Sequence, residues 1–292
     1  MSNVLYDELG PVGRRRTLIG SVIAGVVLLA VGVVVFRRLD AEGQFDGELW
    51  GPLIDPRNED FDAVWRLLRE GLVNTLRAAV LAVVFSLVFG TLLAVLRVTS
   101  APWYRWLVVT FIEIFRGIPV VIAVFFAARV LPETGVELAP LWYLVIGLTF
   151  YNAVILAEII RSGIAALPRG QEEAALAIGM TRGQTLRLVL LPQAFRVMLP
   201  ALISQLVVVL KDTSLGFIIL YPELVRTGGI LVQNLRNPFQ TYFVIGVIFI
   251  VVNYALSRVA VVVERRLSRT TPQRPDARPV AETDPAGVPG AL

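Results

Sequence analysis

Long apolar segments separated by short polar connections dominate this sequence of 292 residues. The first segment occupies residues 18–36, and comparable segments follow as far as residue 263. A membrane-spanning helix needs about 20 mostly apolar residues. With 56% hydrophobic residues and a mean hydropathy of +0.71, the chain is also too apolar for an ordinary soluble domain. The pattern therefore predicts an all-α integral membrane protein.

The apolar segments predict six transmembrane helices, at residues 18–36, 72–96, 106–131, 141–165, 197–220 and 242–263. Basic residues cluster before the first helix, between the second and third, and after the sixth. The positive-inside rule places these connections and both chain termini in the cytoplasm. A cleavable signal peptide is the alternative for the first segment. The length of that segment, and Arg37 and Arg38 in place of a small-residue cleavage site, favour a retained helix.

Composition divides the chain into five parts. These are a cytoplasmic N-terminus at 1–16, an extra N-terminal transmembrane helix at 17–36, an acidic extracellular loop at 37–69, a membrane core at 70–266 and a disordered cytoplasmic tail at 267–292. Most of the acidic loop is expected to be a solvated linker. The tail is rich in Pro, Arg, Ala and Asp without apolar periodicity, which is typical of disorder.

The sequence offers little for catalysis. It has neither cysteine nor histidine, so thiolate and imidazole metal ligands and the usual proton shuttle are missing. Its only lysine, Lys211, follows no glycine-rich loop, so the chain itself should not bind ATP. We expect no catalytic residues, no metal site, no cofactor and no nucleic-acid partner.

A polar island at residues 167–192 interrupts the apolar pattern. Residues 171–178 form a short run of good helix formers with Glu172 and Glu173 in the first turn, which suits a helix N-terminus. Gly179 follows where a left-handed cap is expected, and residues 181–184 match a capping box that starts a second helix ending at Pro192. Ala174 and Ala175 would let a partner approach closely. The island is therefore interpreted as a docking surface; a helical hairpin without a partner is the alternative.

Several charged residues lie within the predicted spans, where each costs at least about 2.5 to 3.5 kcal/mol unless it is paired or used. Glu113 and Arg116 are three residues apart, as are Glu158 and Arg161, so each pair can neutralise itself on one helix face. Polar residues at 211–214 interrupt the fifth span, which is tolerated only against protein or a water-filled cavity, so this break indicates the transport pathway. The candidate pathway or substrate residues are Glu158, Lys211, Thr213 and Ser214, with Arg77 and Arg129 as unpaired cations that would attract an anion.

The polar island resembles the EAA loop of the permease subunits of bacterial ATP-binding-cassette importers. The match comprises residues 173–175, Gly179 and residues 189–192, with Val189 where the family usually has isoleucine. Further segments at 71–76, 113–119, 157–163, 170–171, 191–194 and 211–215 resemble the polar amino acid permeases of the histidine, glutamine, glutamate and arginine uptake branch. The resemblance covers about residues 70 to 265.

The resemblance implies a five-helix permease core with one added N-terminal helix, an addition similar to that of the second permease subunit of actinobacterial glutamate importers. It implies a non-catalytic subunit of the bacterial cytoplasmic membrane that imports a polar amino acid, with glutamate favoured. The implied partners are an ATPase dimer that binds the ATP, a second permease subunit and an extracellular binding protein. The implied ATPase-coupling residues are Gln171, Glu173, Ala174, Ala175, Gly179 and Pro192.

Two other classes of protein remain as alternatives. A channel or secondary transporter would move amino acids without an ATPase, and a membrane scaffold would transport nothing. A scaffold would not need charged residues on several spans. Co-purification with an ATP-binding subunit distinguishes the importer from both.

Overall fold

The computed structural model of the chain describes residues 10–99 and 101–268. Within them all regular structure is helical. The helices are α1 (Pro11–Ala41), α2 (Gly47–Ile54), α3 (Phe61–Thr99), α4 (Pro102–Gly117), α5 (Val120–Glu133), α6 (Pro140–Ala165), α7 (Arg169–Ala177), α8 (Arg182–Gln184), α9 (Leu191–Asp212), α10 (Leu224–Leu235) and α11 (Pro238–Ser268). A π-helix at Thr185–Leu190 joins α8 to α9, and a 3-10 helix at Thr213–Ile219 follows α9. The first nine residues and nearly all of the tail predicted to be disordered lie outside the described residues.

Five of these helical stretches are long and apolar enough to cross a membrane: Pro11–Ala41, Phe61–Thr99, Pro140–Ala165, Arg182–Ile219 and Pro238–Val259. A sixth crossing is present if the bent pair α4 and α5 is counted as one. The all-α membrane fold predicted from the sequence is confirmed.

The predicted third span is broken rather than continuous. The two helices of the bent pair meet at an angle of 100°, at Gly117, Ile118 and Pro119. Ile118 has extended backbone angles (φ −81°, ψ 127°), since the ring of a following proline disfavours the helical conformation. The continuous helix expected at 106–131 was therefore wrong.

The core forms where α3 and α6 pack side by side in the same direction. A Cβ atom on Gly90 of α3 would lie 2.9 Å from the carbonyl oxygen of Ala153 on α6. On another side of α6, a Cβ atom on Gly147 would lie 2.5 Å from Cα of Val124 on α5. Glycine at these two positions lets the helix backbones approach closely.

Prolines do not end the helices around the fifth span. Pro192 was expected to stop the second loop helix, but the chain stays helical through it, and Pro200 lies inside α9. The π-helix before Pro192 widens the turn, with the amide of Leu191 donating to the carbonyl of Leu186 five residues earlier. A wider turn accommodates a proline that lacks an amide proton. The expectation of a stop at Pro192 was wrong.

The short helix α10 lies between α3 and α11 and begins with a buried cap. The carboxylate of Glu223 accepts hydrogen bonds from the amides of Val225 (2.8 Å) and Arg226 (2.7 Å). The Glu223 side chain is fully buried, and this burial raises the pKa of its carboxyl to about 7. The buried cap fixes the start of α10 against the core.

The acidic segment after α1 is more ordered than a solvated linker. The side chain of Asn237 donates to the carbonyl of Leu49 (2.9 Å), and that of Gln240 donates to the carbonyl of Gln44 (2.6 Å). The Trp50 ring contacts Phe243 edge-on, with 5.8 Å between centroids. These contacts attach α2 to the junction of α10 and α11. The described part of the chain buries no side chain of α1 itself.

Candidate functional site

The loop between α6 and α9 has the predicted shape of helix, glycine corner and helix. At the end of α7, Gly179 has φ +88°, and the amide of Met180 donates to the carbonyl of Ala175 (3.2 Å). The amide of Gly179 donates to the carbonyl of Leu176 (3.0 Å). This is a Schellman cap, which favours glycine because its central residue is left-handed.

The second half of the corner is fixed by the predicted capping box. The amide of Gln184 donates to Oγ1 of Thr181 (3.3 Å), and the amide of Thr181 donates to Oε1 of Gln184 (2.9 Å). Two otherwise unpaired amides are satisfied reciprocally, which gives the turn after Gly179 a defined direction.

The corner presents an apolar side chain outward. Ile178 is 79% exposed at the end of α7, and Leu176, Ala174 and Glu173 are exposed beside it. Ala175 is only 4% exposed, so its methyl group packs within the chain instead of facing a partner. Ile178, Leu176 and Ala174 together expose apolar surface, and contiguous exposed apolar surface can mark a site of interaction with another protein.

The loop is braced to the membrane helix that follows it. Nε2 of Gln193 on α9 donates to Oε1 of Gln171 on α7 (3.1 Å), and also to the carbonyl of Val189 (3.0 Å). Pro192, one residue earlier, is exposed. The Gln171–Gln193 hydrogen bond therefore links α7 directly to α9.

Near the same end of the helices, Glu158 is held by two arginines. Its Oε2 lies 2.6 Å from Nη1 of Arg97 on α3, and its Oε1 accepts from Nε of Arg161 (2.9 Å). The predicted pair with Arg161 is confirmed. The contact with Arg97 was not predicted, since 61 residues separate the partners and no local spacing relates them. This cluster joins α3 to α6.

A cavity of about 360 Å³ lies beside this cluster. It is lined by Arg116, Ile155, Glu158, Ile159, Ser162, Gly163, Met198 and Ala201. The predicted Glu113–Arg116 pair is present but loose, at 3.9 Å with both side chains more than half exposed. The cavity thus combines α4, α6 and α9 with the charged groups of the cluster.

At the C-terminal end of α9, the hydroxyl groups of the polar segment 211–214 donate hydrogen bonds to backbone carbonyls of the same turn. Oγ1 of Thr213 donates to the carbonyl of Leu210 (2.6 Å), and Oγ of Ser214 donates to that of Lys211 (2.7 Å). Thr213 is fully buried, whereas Lys211 is exposed. The backbone at Thr213 stays helical, and α9 continues there as a narrower 3-10 helix. The 3-10 helix ends at Leu220, whose φ is +60°. The expected interruption is therefore a change of helix type.

A polar pair inside the core was not predicted from the sequence. Nε2 of Gln205 on α9 donates to Oδ1 of Asn152 on α6 (2.8 Å), and Asn152 is fully buried. The side-chain Nδ2 of Asn152 donates in turn to the backbone carbonyl of Leu148 (2.9 Å). Asn152 was visible as a polar residue in an apolar span, but its partner lies 53 residues away.

The two isolated cations lie apart from the charged cluster on different helices. Arg129 on α5 lies over the ring of Phe125, 5.6 Å from its centroid. Arg77 on α3 is exposed and lowers the pKa of Tyr221, which burial raises more strongly. Among the residues that the structure describes, no group of three acidic side chains could hold a metal ion.

Comparison with known proteins establishes the class. The family model for binding-protein-dependent transport system inner membrane components matches residues 76–269. The chain belongs to this family and is a multi-pass, non-catalytic permease subunit of an ATP-binding-cassette importer.

Particular relatives are similar over most of the chain. The glutamate transport system permease protein GluD of Corynebacterium glutamicum is 42% identical over 236 residues, which cover 78% of this chain and 83% of the relative. The glutamate/aspartate import permease protein GltK of Escherichia coli O157:H7 is 33% identical over 207 residues, which cover 68% and 92%. The crystal structure of an amino acid ABC transporter with histidines matches with a TM-score of 0.65 and 30% identity, covering 70% of this chain and 96% of that one. An inward-facing MetNI methionine ABC transporter, at 22% identity and a TM-score of 0.61, shares the fold.

Proposed function

We propose that this permease subunit imports a polar amino acid, with glutamate as the first candidate, across the bacterial cytoplasmic membrane. The observation that carries the proposal is the 42% identity to a glutamate transport permease over most of both chains. A second relative at 33% identity is named for glutamate and aspartate. Two relatives named for acidic amino acids favour an acidic substrate.

ATP is bound by a partner ATPase, which docks on the loop corner. The exposed Ile178 enters a recess of that partner, and Glu173 and Ala174 line the contact. Gln171, Gly179 and Pro192 transmit the movement, because Gln171 is hydrogen-bonded to α9 and Gly179 sets the angle of the corner. Ala175 contributes by packing α7 on its own subunit.

The loop corner faces the cytoplasm, as do both chain termini. Supporting this orientation, Arg105, Arg116, Arg169 and Arg182 lie at the loop end of the helices, and basic residues favour the inner side. The acidic segment at 37–69 is then extracellular, the permease core occupies 70–266, and α1 is an additional span.

The pathway runs along the exposed sides of α6 and α9, and a second permease subunit closes it. Lys211, Thr213 and Ser214 lie near its outer end, and Glu158 lies near its inner end. Arg77 and Arg129 supply the positive charge that an acidic substrate requires. The similarity to a glutamate permease favours a different subunit as the second permease.

Uptake by the assembled transporter in proteoliposomes tests the substrate. Radiolabelled glutamate should enter only with ATP and binding protein present, and unlabelled glutamate should compete better than glutamine or arginine. Arg77→Gln and Arg129→Gln should lower glutamate uptake more than glutamine uptake. Equal competition by arginine would reject the acidic substrate, and uptake without ATP would indicate a channel or secondary transporter.

Pull-down of the ATPase by the tagged permease tests the docking surface. Ile178→Asp should lower ATPase recovery at least tenfold. Val136→Asp is the matched control, since Val136 is also exposed but lies in the connection at the opposite end of α6. Full ATPase recovery with Ile178→Asp would place the contact elsewhere.

A further inference from the structure

A cavity of about 630 Å³ lies at the start of α3, near the end of the molecule opposite the loop corner. It is lined by Phe61, Asp62, Trp65, Arg66, Leu68, Arg69, Leu72 and Ile248. Most of these residues precede position 76, where the family match begins. The cavity therefore belongs largely to the part of the chain outside the matched family region.

The residues that line the cavity change from charged to aliphatic along α3. Asp62, Arg66 and Arg69 lie on one face and are exposed, and Leu72 follows one turn later on the same face. Trp65 stands among the charged residues, and its indole nitrogen donates to the carbonyl of Leu53 (3.0 Å). Tryptophan and arginine above an aliphatic surface are typical of the membrane interface.

The two arginines, Arg66 and Arg69, form no ion pair and no side-chain hydrogen bond in the described residues, although Asp62 lies one turn before Arg66 on the same helix. Asp62 is the only carboxylate in the lining, so the cavity carries a net charge of +1. A guanidinium pair of this kind matches the oxygens of a phosphate group.

An aliphatic groove begins one helical turn after this cavity, as α3 and α11 run on toward the loop corner. It has a volume of about 220 Å³ and is lined by Leu76, Ala79, Val80, Val83, Val84, Leu206, Leu210, Val252 and Leu256. Both α3 and α11 pack on α9 and α10, and α9 forms the floor of the groove between them. At 1.5 Å per residue, the groove extends from about 10 to about 22 Å below Arg69. One leaflet of the hydrocarbon core is about 15 Å deep.

We propose that the cavity and groove together hold one anionic glycerophospholipid. Its phosphate lies between Arg66 and Arg69, and the polar end of its headgroup lies beside Trp65. One acyl chain follows Leu72 and Ile248 into the groove. Along α3 the two arginines come before Leu72 and the aliphatic groove, as the phosphate of a phospholipid comes before its acyl chains. A protein helix in the same position would leave the arginines facing an apolar surface.

Native mass spectrometry of the purified complex, after exchange into phosphatidylglycerol and then into detergent, tests the proposal. The wild-type complex should retain one more phosphatidylglycerol molecule than the Arg66→Gln/Arg69→Gln variant. The fraction of complexes that carry this additional lipid should fall at least tenfold in the variant. Arg57→Gln is the matched control, since this arginine is exposed in the acidic segment and does not line the cavity. Phosphatidylcholine should be retained less well than phosphatidylglycerol.

The groove has its own matched pair of variants. Val80→Phe should displace the acyl chain and lower retention, whereas Val73→Phe, at an exposed position outside the groove, should not. A photo-crosslinking residue at Leu72 of otherwise unaltered protein should form a lipid adduct. Equal retention by the double arginine variant, or a protein adduct at Leu72, would overturn the proposal.

Discussion

The carboxylate of Glu158 on α6 forms an ion pair with Arg97 on α3, at 2.6 Å, and a second ion pair with Arg161. The one carboxylate of Glu158 therefore takes part in both ion pairs. Breaking a partly buried pair leaves the remaining charge uncompensated. The cost of removing a member of the cluster should depend on how many ion pairs are broken.

We predict that Glu158→Gln destabilises the protein by about 2 to 4 kcal/mol, and that Arg97→Gln costs about half as much. The glutamate variant removes both ion pairs of the cluster, whereas the arginine variant leaves Glu158 paired with Arg161. Chemical denaturation of the purified subunit measures both values. Glu113→Gln is the control, because its pair with Arg116 is long and exposed and should contribute less than about 0.5 kcal/mol. A larger loss for Arg97→Gln would contradict the central position of Glu158.

Gly179→Asp should uncouple ATP hydrolysis from transport. Any other residue at φ +88° is strained by roughly 1 to 2 kcal/mol, which shifts the corner that carries Ile178. We expect uptake to fall at least tenfold while ATP hydrolysis by the assembled transporter persists. Both rates are measured in the same proteoliposomes.

Gly183→Asp is the control for that variant. Gly183 lies in the same loop, its φ is not positive, and no atom lies within 4 Å of the added Cβ. It should transport at a near-normal rate. Normal uptake by Gly179→Asp would remove the corner from the coupling mechanism.

Gly147→Ala should destabilise the core by about 1 to 3 kcal/mol, because the added methyl group would meet backbone atoms of Val124 that cannot rotate away. Gly246→Ala on α11 provides the comparison, since no atom lies within 4 Å of its added Cβ. Alanine there should be neutral or stabilise the helix by up to about 1 kcal/mol. Thermal unfolding in one detergent ranks the two variants, and equal melting temperatures would contradict the close packing of α5 and α6.

Glu223 should make stability fall between pH 4.5 and about 7. Burial raises the pKa of its carboxyl from the ordinary 4.5 to about 7, so the folded protein holds this proton more tightly than the unfolded chain. The stabilisation is complete below pH 4.5 and is lost as pH rises through 7, with an amplitude on the order of 3 kcal/mol. Melting temperatures across this range should decline for the wild type.

The Glu223→Gln variant should remove most of that decline, because its amide does not ionise. Glu137→Gln, which changes an exposed carboxylate, should behave like the wild type. Burial raises the pKa of Tyr221, so its phenol stays protonated throughout this pH range and does not contribute to the decline. An unchanged pH profile in Glu223→Gln would assign the effect to another group.

The sequence predicted features that depend on neighbouring residues. The cap at Gly179, the capping box at Thr181 and the Glu158–Arg161 pair each arise within five positions of the chain, and all are present. Their physical causes, backbone conformation and helical spacing, can be evaluated from local sequence alone.

Features that depend on packing could not be predicted in this way. Arg97 meets Glu158, and Gln205 meets Asn152, only because α3, α6 and α9 lie side by side. The break at Pro119 was visible as a proline, but a proline within a span can kink, end or continue a helix. At Pro192 the outcome was set by the π-helix before it, which no residue pattern specified.

The hydrogen bonds of the π-helix at Thr185–Leu190 span five residues, one more than in an α-helix. If a pull on α7 restored ordinary α-helical spacing there, every residue of α9 beyond it would turn by about 100° and move by about 1.5 Å along the axis. Such a turn would carry Gln205 away from Asn152 and bring a different side of α9 toward α6. The π-helix between the corner and the fifth span would thus convert a small displacement of α7 into a rotation of α9.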